Sequence, residues 1–350
     1  MFSLLPEISR YPTYQVLVAA VTALVLAGIL FPLWIRVLRF RSIGQQIRAD
    51  GPQGHLVKQG TPTMGGVLIL LVVAAVYLSL GVVGRDGMIA LVALLGCGLL
   101  GFVDDYAKVV KERSLGLTAK AKIVGQAFIA FGIGVLAVNW AHVEPVVTIP
   151  LLGSLDLGFL SSTLVIGSFT FSFPWLYLGL VFFMVISFSN TVNLTDGLDG
   201  LAAGTIMIVM LAFAAIAFQR DNLELALFAS AVAGSCLGFL WYNSHPADIF
   251  MGDTGSLGLG AAIATLAVVT KTEFLSPLIG GIYVVEGLSV VLQVASFKLT
   301  GRRIFMMAPL HHHFEMKGWS ETKVMVRFWI VTGIMAAAGF ALWFVGGAGS

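Results

Sequence analysis

Along this chain, long apolar stretches alternate with short polar ones. The apolar runs cover about 16–38, 64–83, 87–103, 122–141, 174–192, 200–218, 224–243, 255–270, 275–297 and 324–345. A bilayer core takes about 20 apolar residues per helix, with tolerance down to roughly 17. The third and eighth runs are short and need tilt or their polar flanks to span. Backbone polar groups in lipid must be paired within their own segment, so each run predicts a helix. No strong internal repeat is visible, which weighs against an inverted-repeat transporter. The expected fold class is an all-α polytopic membrane protein of about ten transmembrane helices, one integral membrane domain over residues 1–350. One connection, about 142–173, breaks the pattern: it has no Lys or Arg and contains Pro145, Pro150, Gly153 and Gly158. Its stretch VVTIPLLGSLDLGFL predicts a short β-hairpin lying on the outer surface.

Composition supports this reading. The chain is 58% hydrophobic and 11% charged, with a mean hydropathy of +0.95, too few charges to cover a soluble core of 350 residues. Cys97 and Cys236 sit inside apolar runs and read as small buried hydrophobes, not as a disulfide or a metal pair. No basic n-region and no A-x-A-like site precedes the first long apolar run, so a cleaved signal peptide is not expected. The net charge of +2 matters less than its distribution: 16 of the 20 basic residues fall in the segments after the first, third and ninth runs and the adjoining helix ends. Basic residues stay cytoplasmic, which predicts both termini on the periplasmic side.

That orientation puts five aspartates on one cytoplasmic face, each in a motif. FVDDYAK ends the third run with Asp104 and Asp105. Adjacent carboxylates repel and persist where a cation or basic groups offset the repulsion; Mg²⁺, a hard ion, takes oxygen ligands and bridges carboxylates to substrate phosphates. The bland alternative is a solvated helix end opposite Lys108. In NTVNLTDGLDGLAAG, Asn193, Asp196 and Asp199 fall at i, i+3 and i+6, so a helical turn places them on neighbouring faces. Capping of the sixth helix by Thr195 or Asp196 is the alternative. In NSHPADIFMGDTGSLGLG, Asp253 precedes the eighth helix, whose N-terminus offers backbone donors to phosphate. Asn243 and Phe250 flank it; Phe250 is an interfacial anchor or a stacking surface for a base.

APLHHHFEMKGW holds His311, His312 and His313, suited to phosphate contact, proton transfer or metal ligation. A zinc site is not expected, for want of spaced His or Cys partners. QGTPTMGG follows Lys58 and opens the second helix, with Thr61 or Thr63 as its expected cap. Lys58, Lys108, Lys120 and Lys122 fit either phosphate contacts or the positive-inside pattern. Glu286 lies within the ninth run, where an ionisable group is costly and faces protein or water.

Taken in order, FVDDYAK, NLTDGLDGLAAG, FMGDTGS and APLHHHFEMKGW resemble the polyprenyl-phosphate N-acetylhexosamine-1-phosphate transferase superfamily, over residues 58–319. The histidine block with FEMKGW is similar to its muramoyl branch. The resemblance implies a Mg²⁺-dependent transfer from UDP-MurNAc-pentapeptide to undecaprenyl phosphate, giving lipid I and UMP in the bacterial inner membrane. It implies Asp253 as the main Mg²⁺ ligand, Asp105 in metal or substrate placement, and Asp104 as base toward the lipid phosphate or as a covalent nucleophile. His311 joins the catalytic group, and His312 and His313 contact phosphate. Lys58, Asn193, Asp196, Asp199, Asn243 and Phe250 then surround the nucleoside and sugar, with Lys108, Lys120 and Lys122 on phosphate. A homodimer is compatible with the family, and no nucleic acid is expected among the partners. Two rivals remain: a sister transferase using UDP-N-acetylglucosamine, and a transporter, which would place ionisable groups near the bilayer midplane.

Overall fold

The computed structural model describes residues 11–41, 44, 60–80, 82–111 and 116–347. Within them the chain forms helices α1 (Pro12–Phe40), α2 (Gly65–Ser79), α3 (Arg85–Val110), α4 (Ala119–Asn139), α5 (Trp175–Thr195), α6 (Leu201–Gln219), α7 (Leu223–Asn243), α8 (Gly252–Val269), α9 (Ser276–Ile279), α10 (Gly281–Thr300), α11 (Leu310–Met316) and α12 (Glu321–Gly347). Among the described residues nine helices are long and apolar enough to cross a membrane, and α2 is a shorter apolar helix of 15 residues. The chain is therefore a multi-pass membrane protein, and each of the ten apolar runs is helical, nine of them with a helix of spanning length.

Burial is graded from centre to rim. Every residue of α8 from Asp253 to Val269 is buried, enclosed by α2, α3 and α5, while α1 packs along α7 and α12 along α6. The helices approach closely because small residues line their crossings, as packing in lipid requires. A methyl group on Gly101 of α3 would lie 2.1 Å from the carbonyl oxygen of Asp253, and one on Gly66 of α2 would lie 2.1 Å from the nitrogen of Gly255. The outer helices instead present Leu, Val, Ile and Phe outward, on α1 for example Leu17, Val21, Val25, Ile29 and Leu33. This is the inverted surface expected where lipid is the solvent.

Three local expectations change and a fourth is extended. Helix α3 runs on to Val110, so Asp104 and Asp105 lie inside its last two turns, not at its end. The ninth run is two helices, because Pro277 starts the short α9 and the chain breaks at Gly280 before α10. In the 142–173 connection the hairpin expected in VVTIPLLGSLDLGFL forms, and a second antiparallel hairpin follows it. In the first, β1 (Val146–Ile149) pairs with β2 (Gly153–Asp156); in the second, β3 (Ser161–Ile166) pairs with β4 (Phe169–Pro174). Helix α2 is not capped by Thr61 or Thr63: its first free N–H groups, on Gly65 and Gly66, donate to the carbonyls of Phe250 and Met251, both at 2.8 Å.

Candidate active site

Three carboxylates converge where α3 meets the start of α8. Asp104, Asp105 and Asp253 each offer an oxygen within 4.8 Å of the others. The α-helical spacing of α3 puts Asp104, Asp105 and Lys108 on one side, one turn apart. Helix α4 supplies Lys122, and α5 supplies Asn193. Lys108 Nζ lies 2.7 Å from Asp104 Oδ2, 3.4 Å from Asp105 Oδ1 and 3.1 Å from Asp253 Oδ1. Lys122 Nζ reaches Asp253 Oδ2 at 2.5 Å and Asp104 Oδ2 at 3.4 Å. Asn193 Nδ2 donates to Asp253 Oδ1 at 3.0 Å and to Ser256 Oγ at 2.8 Å. Three carboxylates against two ammoniums leave the cluster net negative.

The three acids are not equivalent. Asp105 is consumed by folding: its Oδ1 accepts the N–H of Asp253 at 3.1 Å, and its Oδ2 accepts the N–H and hydroxyl of Thr254 at 2.9 and 2.8 Å. It satisfies the first turn of α8, where donors point outward and negative charge is favoured. The start of α8 was expected to offer backbone donors to a phosphate; those of Asp253 and Thr254 are taken by the Asp105 carboxylate. Gly252 makes the arrangement possible with φ of +77°, and a methyl there would sit 2.7 Å from Asp105 Oδ2. Asp104 Oδ1 accepts the N–H of Leu117 at 2.7 Å, which leaves Oδ2 facing the lysines. Asp104 is 0% exposed, Asp105 2% and Asp253 9%, so Asp253 is the acid that opens outward.

The other expected site residues separate into groups. Helix α5 ends at Thr195, so Asn193, Asp196 and Asp199 do not share a helical face. Neither Thr195 nor Asp196 caps α6; its N-cap is Gly200, whose N–H donates to Asn243 Oδ1 at 3.0 Å. Asp196 turns toward the acid cluster. Burial and the nearby charges of Asp253, Asp105 and Asp199 raise its carboxyl well above the usual range. Asp199 turns the other way: its Oδ2 lies 2.9 Å from His245 Nδ1, which is also 3.3 Å from Glu321 Oε2. Asn243 has both ends of its amide on backbone, the second donating to the Ile249 carbonyl at 2.9 Å, so it braces the wall and offers no free group. Phe250 is half-buried, its backbone paired with Pro62 and Gly65. Lys122 points into the cluster while Lys120, two residues away on the helix, is exposed. Lys58 lies outside the described residues.

The three histidines also part company. His311 is wholly buried, its Nδ1 3.2 Å from Glu286 Oε2 and its ring against Gly197, beside Asp196. Glu286 further accepts the N–H groups of Leu310 and His311 at 2.9 and 3.2 Å, so the carboxylate inside the ninth run is an anchor for the histidine block. His312 Nδ1 lies 2.6 Å from Glu315 Oε2. His313 turns away, accepting the N–H of Met306 at 3.1 Å. Helix α11 rests on α12 through Phe314, whose ring meets Phe328 edge-on with centroids 6.1 Å apart and also stacks on Trp319 at 4.5 Å. Sequence reasoning missed the roles of Thr254, His245, Glu321 and Glu286. Only Glu286 carried a signal, a charge within an apolar run.

A family model described as glycosyl transferase family 4 matches residues 87–271, which hold all three clustered acids and both lysines. A signature described as phospho-N-acetylmuramoyl-pentapeptide-transferase signature 1 matches residues 58–70, from Lys58 into α2. The chain is 48% identical over 319 residues to the phospho-N-acetylmuramoyl-pentapeptide-transferase of Shouchella clausii, covering 89% of this chain and 93% of the relative. It is 45% identical over 353 residues to the protein of that name from Frankia casuarinae, covering 94% and 97%. With the Streptomyces coelicolor protein of the same name it shares 44% identity over 365 residues, covering 95% and 98%.

Proposed function

The chain belongs to the phospho-N-acetylmuramoyl-pentapeptide-transferase family, and we propose that it moves phospho-N-acetylmuramoyl-pentapeptide from UDP-MurNAc-pentapeptide to undecaprenyl phosphate, giving lipid I and UMP. The observation that carries the chemistry is the convergence of Asp104, Asp105 and Asp253 with Lys108 and Lys122 at one end of the bundle. Each charged group there is useful when two anionic substrates must be brought together. Orientation by the distribution of basic residues makes that end cytoplasmic, with both termini periplasmic, in the bacterial inner membrane.

The donor set suits a hard divalent ion. It is all oxygen, it is net negative, and the buried Asp104 Oδ2 faces the two lysine ammoniums. Asp253 would hold Mg²⁺, with Asp105 fixing Asp253 from behind and Asp104 Oδ2 kept for the proton. Bound there, the ion supplies charge neutralisation for the diphosphate and the departing UMP.

The reaction is a phosphoryl transfer. An oxygen of the lipid phosphate attacks the phosphorus that carries the sugar; that P–O bond forms, and the bond to UMP breaks, UMP leaving with the electron pair. Lys108 and Lys122 screen the two anions, and Asn193 holds Asp253 in place. Asp104 Oδ2 takes any proton the lipid phosphate still carries. Its burial and its fixed Oδ1 favour this one-step reading over covalent attack on a bulky diphosphate. Asp196 and Phe250 form the nucleoside side, and His312 lies near the phosphates. The test is UMP release from UDP-MurNAc-pentapeptide, expected only with undecaprenyl phosphate and Mg²⁺ present and lost on chelation. Faster release from UDP-N-acetylglucosamine would transfer the assignment to the sister enzymes.

A further inference from the structure

At the opposite end of the bundle from the acids, the second hairpin is strongly two-faced. Cross-strand partners share a face, so its register sorts its side chains. The pairs Ile166–Phe169, Leu164–Phe171 and Ser162–Phe173 lie on one face; Val165–Thr170, Thr163–Ser172 and Ser161–Pro174 lie on the other. The first face is aromatic and aliphatic out to the tip, yet nothing among the described residues covers it: Ile166 is 58% exposed, Leu164 51% and Phe169 69%.

The hairpin is also rigidly placed. Strand β4 runs directly into Trp175, the first residue of α5. Its Ser172 is clamped to the last residue of α4: Ser172 N–H donates to Asn139 Oδ1 at 2.6 Å, and Asn139 Nδ2 donates to the Ser172 carbonyl at 3.0 Å. Its base therefore sits level with the ends of two membrane-spanning helices. Trp140 and Trp175 mark that level, both substantially exposed, as tryptophans at a membrane–water boundary are. Trp175 extends the apolar face, stacked on Phe173 with centroids 5.8 Å apart and donating its indole N–H to Ser162 Oγ at 3.0 Å.

We propose that the β3–β4 hairpin is an interfacial strap, its Ile166–Phe169–Leu164 face seated in the lipid headgroup region beside α4 and α5. Two observations select lipid. The 142–173 connection has no Lys or Arg, so no cation must be desolvated on entry. The sheet has only two strands, leaving the outer edge of β3 unpaired; such an edge is forbidden in hydrocarbon but hydrated at the interface. The strap thus lies in the boundary layer, about 5–10 Å deep, as amphipathic elements do.

The test uses the full chain in phosphatidylethanolamine–phosphatidylglycerol vesicles, with one fluorophore on I166C or T170C. Cys97 and Cys236 are buried and do not compete for label. Spin-labelled phospholipid should quench the I166C label at least twofold more than the T170C label, with aqueous iodide showing the reverse order. Equal iodide quenching at both positions overturns the proposal, because the hairpin then stands in water. An I166C label shielded from lipid and iodide alike also overturns it, because a second copy or another protein then covers the face. F169C reports on the same face and must agree with I166C.

Discussion

At the acid cluster, the accessible carboxylate and the buried ones have different duties, and single substitutions should separate them. Asp253→Asn keeps size and hydrogen bonding but removes the charge that faces both lysines and the proposed ion. Turnover should fall at least about 1,000-fold with the fold intact in detergent, read by lipid-dependent UMP release alongside thermal unfolding. Near-normal release would remove Asp253 from the mechanism. Asp196 makes a stability prediction with a definite sign. Its folded-state carboxyl is raised, first by burial and then by Asp253, Asp105 and Asp199. The neutral form is thus the one the fold favours; its contribution is complete at pH below the ordinary carboxylate range and fades as pH rises through the raised folded value. Asp196→Asn, measured with chelator present, should therefore melt higher than the parent at pH 8, and the gain should shrink toward pH 4. A gain that grows on acidification would reverse the sign. Residue identity made these acids legible in the sequence, since the five motif aspartates stand out at the ends of apolar runs. Their division of labour was not legible, because the partners of Asp105 are backbone N–H groups about 150 positions away.

Between elements, the decisive contact is the crossing of α3 over the start of α8. Asp105→Ala would strip the cap from that start, leaving the buried N–H groups of Asp253 and Thr254 unpaired. A loss of roughly 3 kcal/mol is expected, seen as a lower unfolding midpoint even before activity is assayed. Gly101→Ala tests the same crossing without touching a polar group. Its methyl must push the Asp253 backbone aside, and a displacement near 1 Å costs on the order of 100-fold in rate, read by lipid-dependent UMP release. Helix existence was legible throughout from apolar length. Helix boundaries were less so: the polar last turns of α3 look like a loop to a hydropathy reading, and the α9–α10 break hides in an apolar run where Pro277 and Gly280 are the only signs.

Across the whole molecule, the prediction concerns sidedness. A cysteine in place of Lys317, near the histidine block, should resist a membrane-impermeant maleimide in intact cells, while one in place of Thr163 on the second hairpin should react; the opposite labelling would invert the proposed orientation. Architecture at this scale was largely readable because lipid imposes so few choices. The hairpins were only half readable, since alternation in a short run does not say how many turns it makes. One consequence follows from the way Gly101 meets the Asp253 carbonyl. The distance between the paired acids and the third is set by main chain against main chain, with no side chain in the gap to drift or be exchanged. Mutations can therefore accumulate freely on the lipid-facing rim without retuning the chemistry. The belt can adapt to a new membrane's thickness or composition while the centre keeps its calibration.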